Sequence, residues 1–267
     1  MRHSELNTWN RCRRKAYLQY IMGYYKESGD AAGIGTIVHG MLAEYYKPGY
    51  RSPDLADVEP ERLEYAVPMI SSYVDEVERM GLDVGRETID VELNLSTADL
   101  LDVGELTCTV DWLFRDETTD ELVIGDHKTA KQFFETAPAD FQLLTYAVIL
   151  QDNGITVDAG EHNIIKTNKR TSRSKPPFIQ RNRIEINEYM LDQHRAALRS
   201  MMWDRENALS IAAISGLYVK HPEIWAIGKN DCSWSCDYYD VCGSISTGEE
   251  FLPVLQSEYI QREEAPQ

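Results

Sequence analysis

Asp111, Asp126 and Lys128 have the residue types and spacing from which hydrolytic chemistry can be built. The stretch Asp116-Glu-Thr-Thr-Asp-Glu121 between the two aspartates is centred between Thr118 and Thr119. A turn closing there, whether a two-residue Thr-Thr turn or a four-residue loop over 117–120, pairs residues whose numbers sum to 237 and sets Asp111 opposite Asp126. Side chains alternate along a strand, so Lys128 shares the Asp126 face while His127 points to the other. Two facing carboxylates repel by a few tenths to ~1 kcal/mol, and a cation between them removes that cost. One reading is therefore a Mg2+ or Mn2+ site of hard oxygen ligands, with the His127 backbone carbonyl as third ligand. Lys128 would hold the attacking water or offset negative charge growing on phosphorus. The other reading is an Asp/Lys salt-bridge patch on a solvated sheet face. The flanking residues Val110, Trp112, Leu113, Val123 and Ile124 make the strands look central, and charges placed there are costly unless they do chemistry.

The elements needed to position these residues can be read from periodicity. Residues 88–96, 103–115 and 121–129 alternate as strands, and 161–169 with 178–186 read as a further hairpin. Helical spacing marks 4–22 with Ser4 as N-cap, about 36–46 after a Gly-bounded loop (Gly29 to Gly35), 59–80, about 139–152 and about 187–213. A Trp- and Cys-rich irregular segment and a polar tail follow. This order predicts an α/β fold, a mixed sheet flanked by helices, with helical additions at both ends.

The composition narrows the function classes. With 43% apolar residues in 267, the chain can bury a core, which excludes wholesale disorder. No apolar run spans a bilayer, and the N-terminus lacks the apolar region of a secretory signal. Five cysteines, an odd and modest number, point to a reducing compartment, read as the cytoplasm. The net charge of −17 argues against a polyanionic partner, but its distribution argues for one. Residues 1–20 hold five basic side chains (Arg2, Arg11, Arg13, Arg14, Lys15) against Glu5 alone. Residues 161–183 hold seven (Lys166, Lys169, Arg170, Arg173, Lys175, Arg181, Arg183) against Glu161 alone. Such segregation can focus a phosphate backbone onto one surface; the plainer alternative is a solvated hairpin tip and an exposed first helix.

Asp111 followed by Gly125-Asp126-His127-Lys128-Thr129 resembles the core of the PD-(D/E)XK nucleases in their RecB-like form. Gln142-Leu-Leu-Thr-Tyr146 resembles that branch's Q-x-x-x-Y motif, and Gly35-Thr-Ile-Val-His39 its G-x-x-x-H motif. Val110 stands where the proline that names the superfamily would be, and Ala43 where an acidic residue often follows the histidine. The resemblance implies a restriction-endonuclease-like fold, a metal held by His39, Asp111 and Asp126, and Lys128 as the catalytic lysine. Gln142 and Tyr146, four apart on one helix face, would sit beside the site and contact the substrate strand.

Cys232, Cys236 and Cys242 suggest a metal site short of one ligand, for which Cys12 is the natural fourth; Cys108 reads as a small core residue. Four thiolates suit Zn2+ or a [4Fe–4S] cluster, and these spacings lean toward iron–sulfur. One N-terminal and three C-terminal cysteines bracketing a RecB-like core resemble the AddB and CRISPR-associated exonuclease groups, which carry an iron–sulfur cluster. Trp234, Tyr238 and Tyr239 would shield it. A single nuclease domain over 1–243 is implied, its core at about 33–186 and its cluster module formed from 1–22 and 214–243, with 244–267 as a tail. The function implied is a metal-dependent DNA nuclease, an exonuclease on single-stranded DNA sooner than an endonuclease, in recombination, repair, phage replication or CRISPR adaptation. The alternative is a non-catalytic nucleic-acid-binding module with a structural iron–sulfur or zinc site.

Overall fold

The computed structural model describes residues 1–26, 30–48, 58–97, 104–171, 173–226, 232 and 236–262. Along the chain run α1 (His3–Arg11), α2 (Arg13–Ala16), a π-helical turn (Tyr17–Ile21), β1 (Tyr24–Tyr25), α3 (Asp30–Tyr46) and α4 (Pro60–Met80). Then come β2 (Arg86–Thr97), β3 (Leu106–Asp116), β4 (Glu121–Ala130), α5 (Phe141–Asp152), β5 (Ala159–Lys166) and β6 (Ile179–Glu185). The chain continues through α6 (Glu188–Ile214), α7 (Tyr239–Thr247), α8 (Leu252–Glu258) and β7 (Ile260–Gln261). Two compact units result. One comprises Ser28–Thr97 and Thr107–Arg195; the other Met1–Glu27, Ala98–Leu106 and Ala196–Gln267.

The first unit is built on a five-stranded sheet of order β2-β3-β4-β5-β6. β3 and β4 pair antiparallel with Trp112 opposite Gly125 and Asp116 opposite Glu121, the expected register and four-residue loop. β4 and β5 run parallel, joined through α5, and β5 and β6 form the expected antiparallel hairpin. One face carries Trp112, Phe114, Val123, Ala159, Ile165 and Ile179, which form a core with Val38, Met41 and Leu42 of α3 and Met69, Tyr73 and Val77 of α4. Against the other lies α5, buried continuously from Leu143 to Leu150, so it has no polar stripe to present. Helix and sheet approach closely there: a Cβ on Gly160 would stand 3.1 Å from the Leu143 side chain.

α3 starts at Asp30, so Gly33 and Gly35 lie inside a helix and not in the expected loop, whose residue 29 is outside the described residues. The glycine serves packing: a Cβ on Gly35 would come 3.1 Å from Thr129 Oγ1 on β4.

The second unit has its own core, with Trp9, Tyr17, Leu18, Ala208, Ala212, Tyr238, Val241, Phe251, Leu255 and Tyr259 buried together. Two expectations are corrected here. The helix over 4–22 is broken at Cys12, whose φ of −161° and ψ of 106° are extended, and it begins at His3 without a side-chain cap from Ser4. Residues 244–262 are not a trailing tail. Phe251, Leu255 and Tyr259 recur every four residues and are buried, and β7 pairs antiparallel with β1.

Gly125 illustrates how tightly the sheet is covered. A Cβ there would lie 2.8 Å from Trp112 Cε3, inside van der Waals contact with a ring that is itself 1% exposed. Gly125→Ala is therefore expected to lower stability by about 1–3 kcal/mol, read from urea denaturation midpoints at unchanged slope.

Candidate active site

β3, β4, α3 and α5 bring the sequence-predicted residues to one end of the sheet. Asp111 precedes Trp112 on β3 and Asp126 follows Gly125 on β4, so continuing the antiparallel ladder by one step sets the two aspartates opposite each other. Asp111 Oδ2 accepts the backbone N–H of His127 (2.8 Å) and lies 3.3 Å from His39 Nδ1 of α3. Asp126 is 1% exposed. Its Oδ1 accepts from Gln142 Nε2 (2.7 Å), and its Oδ2 is 2.5 Å from Lys128 Nζ. Lys128 Nζ also donates to Gln142 Oε1 (2.8 Å), and Gln142 Nε2 donates to the Tyr146 hydroxyl (2.7 Å). One amide thus ties the lysine, the carboxylate and the phenol together. Its place is fixed by Asp140, which caps α5 by accepting the N–H groups of Gln142 and Leu143, both at 3.0 Å.

The His127 side chain goes to the opposite face. It is 2% exposed, pairs through Nδ1 with Asn163 Nδ2 (2.9 Å) and stacks on Tyr46 at 5.6 Å between centroids. The backbone group it brings to Asp111 is its N–H. Asn163 continues to the Tyr73 hydroxyl (2.7 Å), and Arg181 reaches Tyr73 (3.1 Å) and Asp83 (2.7 Å). Glu161 is bound by both guanidinium nitrogens of Arg86 at 2.7 and 3.0 Å.

His162 was missed. It is 3% exposed and sits opposite Asp126 on β5, with Nε2 3.6 Å from Asp126 Oδ2 and 3.7 Å from Asp140 Oδ1. Its Nδ1 is 2.9 Å from Thr136 Oγ1, and its Nε2 has no hydrogen-bond partner.

The electrostatics follow from burial. Desolvation pushes the Asp126 carboxyl up to about 6 against the pull of Lys128, with the Asp111 charge adding to the rise. Burial also acts to raise Asp111, but the hydrogen bond from His39, the two nearby imidazoles and the His127 amide outweigh it and hold that carboxyl low. Burial acts to lower His39, yet its bond to Asp111 and the charges of both aspartates leave it raised. Burial drives His127 down to about 3, so its ring is neutral.

A dication suits these donors. Two carboxylates face each other with a histidine beside them, burial and repulsion raise one of them to about 6, and Asp126 Oδ2 has no well-aligned hydrogen bond. Among the described residues, no group of three or more His, Cys, Asp or Glu forms a ready-made metal cage, and no cysteine group gathers as a metal site. Cys12, Cys232, Cys236 and Cys242 are half-buried free thiols. Burial raises Cys236, and Cys12 and Cys232 are close enough to add to the rise. Arg14 Nη1 lies 3.4 Å from Cys242 Sγ. Cys108 is buried as expected. Trp234 lies outside the described residues.

Several basic residues expected to meet phosphate are otherwise engaged. Arg13 pairs with Asp204 (2.7 Å) and Glu223 (3.0 Å), its guanidinium within 5.5 Å of the Trp9 and Trp225 rings. Arg183 pairs with Glu121 and Glu185, and Arg170 donates to the Lys166 and Asn168 carbonyls. Arg173 and Lys175 are exposed.

The mixed sheet with its flanking helices fits the restriction-endonuclease-like fold. A family model of the PD-(D/E)XK nuclease superfamily matches residues 2–243, and the chain belongs to that superfamily. Membership implies a nucleic-acid substrate and the Mg2+ or Mn2+ that such nucleases typically use. No curated protein matches the chain. Among solved structures it is similar to a Eubacterium rectale protein described as a candidate exonuclease, at 11% identity and a TM-score of 0.46, covering 81% of this chain and 82% of that one. It is also similar to the protein SSO0001, at 10% identity and a TM-score of 0.36, covering 78% and 75%. No described helix is long and apolar enough to cross a membrane.

The raised Asp126 carboxyl has a consequence for stability without metal. Its folded value lies above its unfolded one, so the native state holds the extra proton, and stability falls as pH rises from about 4 through about 6. Asp126→Asn should therefore stabilise the metal-free protein at pH 8 by on the order of 1–3 kcal/mol while changing little at pH 4, measured by thermal unfolding in chelator.

Proposed function

We propose that the chain is a metal-dependent deoxyribonuclease that hydrolyses phosphodiester bonds, acting as an exonuclease on single-stranded DNA. The contexts that suit such an activity are recombination, repair, phage replication and CRISPR adaptation. The supporting observation is the closed set formed by Asp126, Lys128 and Gln142 beside Asp111. A buried carboxylate whose lysine and glutamine partners also bond each other is a site held ready for charge, not a solvated salt-bridge patch.

Asp111, Asp126 and His39 would hold Mg2+ or Mn2+, with the His127 carbonyl as a further oxygen donor. The ion would polarise a phosphoryl oxygen and offset the negative charge of the transition state. Lys128 stands between Asp126 and Gln142, both within 2.8 Å, so its ammonium is oriented before substrate arrives. From there it can hold the water that attacks phosphorus, or donate to the oxygen on which charge grows. Gln142 keeps Lys128 from folding wholly onto Asp126 and shares its amide with Tyr146, which borders the strand's path.

Lys128→Ala should lower cleavage of labelled single-stranded DNA at least a hundredfold while binding is kept, and chelation should abolish cleavage by the parent. If parent and variant both bind and neither cuts with Mn2+ or Mg2+, the chain is a binding module and the nuclease reading fails.

Cys12, Cys232, Cys236 and Cys242 are proposed to hold a [4Fe–4S] cluster, with zinc the second choice, tying the chain's N-terminal helix to its C-terminal segment. A cluster closing so long a loop removes much entropy from the unfolded chain. Protein purified without oxygen should be brown and contain iron and sulfide, and Cys236→Ser should lose both and melt earlier. A colourless protein with zinc and no iron overturns the cluster.

A further inference from the structure

Phe134 is a large apolar side chain left 41% exposed beside the most buried charge of the site. Its backbone is held on both sides. The Phe134 carbonyl accepts from the side-chain amides of Asn182 and Gln180, which stand beside each other on β6. Two residues on, Thr136 bonds His162. The ring meets His162 edge to face, 6.2 Å between centroids, and His162 in turn faces Asp126. A clamped loop thus leaves an aromatic ring partly exposed one side chain away from the proposed reacting centre.

The surroundings define that partner. Lys131, three residues before Phe134, is exposed, and Lys166 Nζ lies 4.2 Å from the Phe133 ring centroid. Ala130 and Lys166 are partners in the β4–β5 ladder, so these cations stand at the strand ends that also carry Lys128. A single strand of nucleic acid offers both groups that such a neighbourhood can take, a base for the ring and phosphates for the cations. A duplex keeps its bases stacked inside and offers a free face only at its two end pairs.

We propose that Phe134 is a specificity-determining residue. It stacks an unpaired nucleobase of the substrate and so places the adjoining phosphodiester at Asp111 and Asp126, while Lys131 and Lys166 take the phosphates on either side. This rests on the nuclease reading and supplies it with a reason for preferring single strands.

The test measures fluorescence anisotropy of labelled oligonucleotides in chelator, where nothing is cut. Phe134→Ala should weaken single-strand binding about tenfold and leave blunt-duplex binding within about twofold. Phe134→Trp should bind single strands as the parent does, and Phe134→Leu should resemble Phe134→Ala, because stacking needs a ring and not merely an apolar surface. With metal, Phe134→Ala should raise KM with kcat little changed. The proposal is overturned if Phe134→Ala binds single strands as the parent does, if it loses single strand and duplex alike, or if leucine serves as well as tryptophan. Failure of the nuclease reading would show elsewhere, in a parent protein that binds DNA but does not cut it.

Discussion

Keeping the Asp126 carboxylate out of water, opposite a second carboxylate, is the constraint to which the surrounding structure answers. An ion buried in this way costs several kcal/mol unless each oxygen meets a donor or a counter-charge. Lys128 and Gln142 meet it on one side, and Asp111 is settled separately by His39 and the His127 amide. Gln142 can serve only if the first turn of α5 lies against the strand, which requires the Asp140 cap and the close approach that Gly160 permits. A demand set by one oxygen atom is thereby passed to a helix terminus and to a glycine on the neighbouring strand.

The opposite face of the sheet also carries buried charges, and there each is paired with a counter-charge. Arg86 and Arg181 lie among Trp112, Phe114 and Tyr73, with Glu161 and Asp83 as their counter-ions. Such buried pairs add little net stability over apolar residues of equal volume, but they tolerate few arrangements. Here they link β2, β5 and β6 to the loop after α4, and through Tyr73 and Asn163 they reach the His127 ring. Since the next atoms of His127 donate to Asp111, the polar chain beneath the sheet helps to set the height of the carboxylate above it.

The hairpin register was legible because a short antiparallel turn has a centre, and that centre dictates which residues face each other. Gln142 and Tyr146 were legible because spacing by four on a helix means one face. His162 was not, since a parallel pair is joined through a whole helix and nothing local fixes its register. Phe251, Leu255 and Tyr259 did carry a helical period, obscured by Pro253 and by the apolar Leu252 and Val254 off that face. The break at Cys12 left no such mark. Counting charges found the basic segments but could not tell a solvated arginine from Arg13, already bound to two acids and facing two indoles.

That last failure bears on how an acidic chain can handle a polyanion. The chain has a net charge of −17, and Arg13, Arg181 and Arg183, neutralised by carboxylates nearby, add little to any broad basic face. Such a protein repels nucleic acid at long range and must hold it by a few contacts close to the reacting centre. Lys131 and Lys166 at the ends of β4 and β5, with the Phe134 ring beside His162, are proposed as contacts of that kind. Under the proposed function, the acidic surround and these few cations would act together: strand that reaches the site would be held there, and strand that drifts elsewhere on the surface would be released.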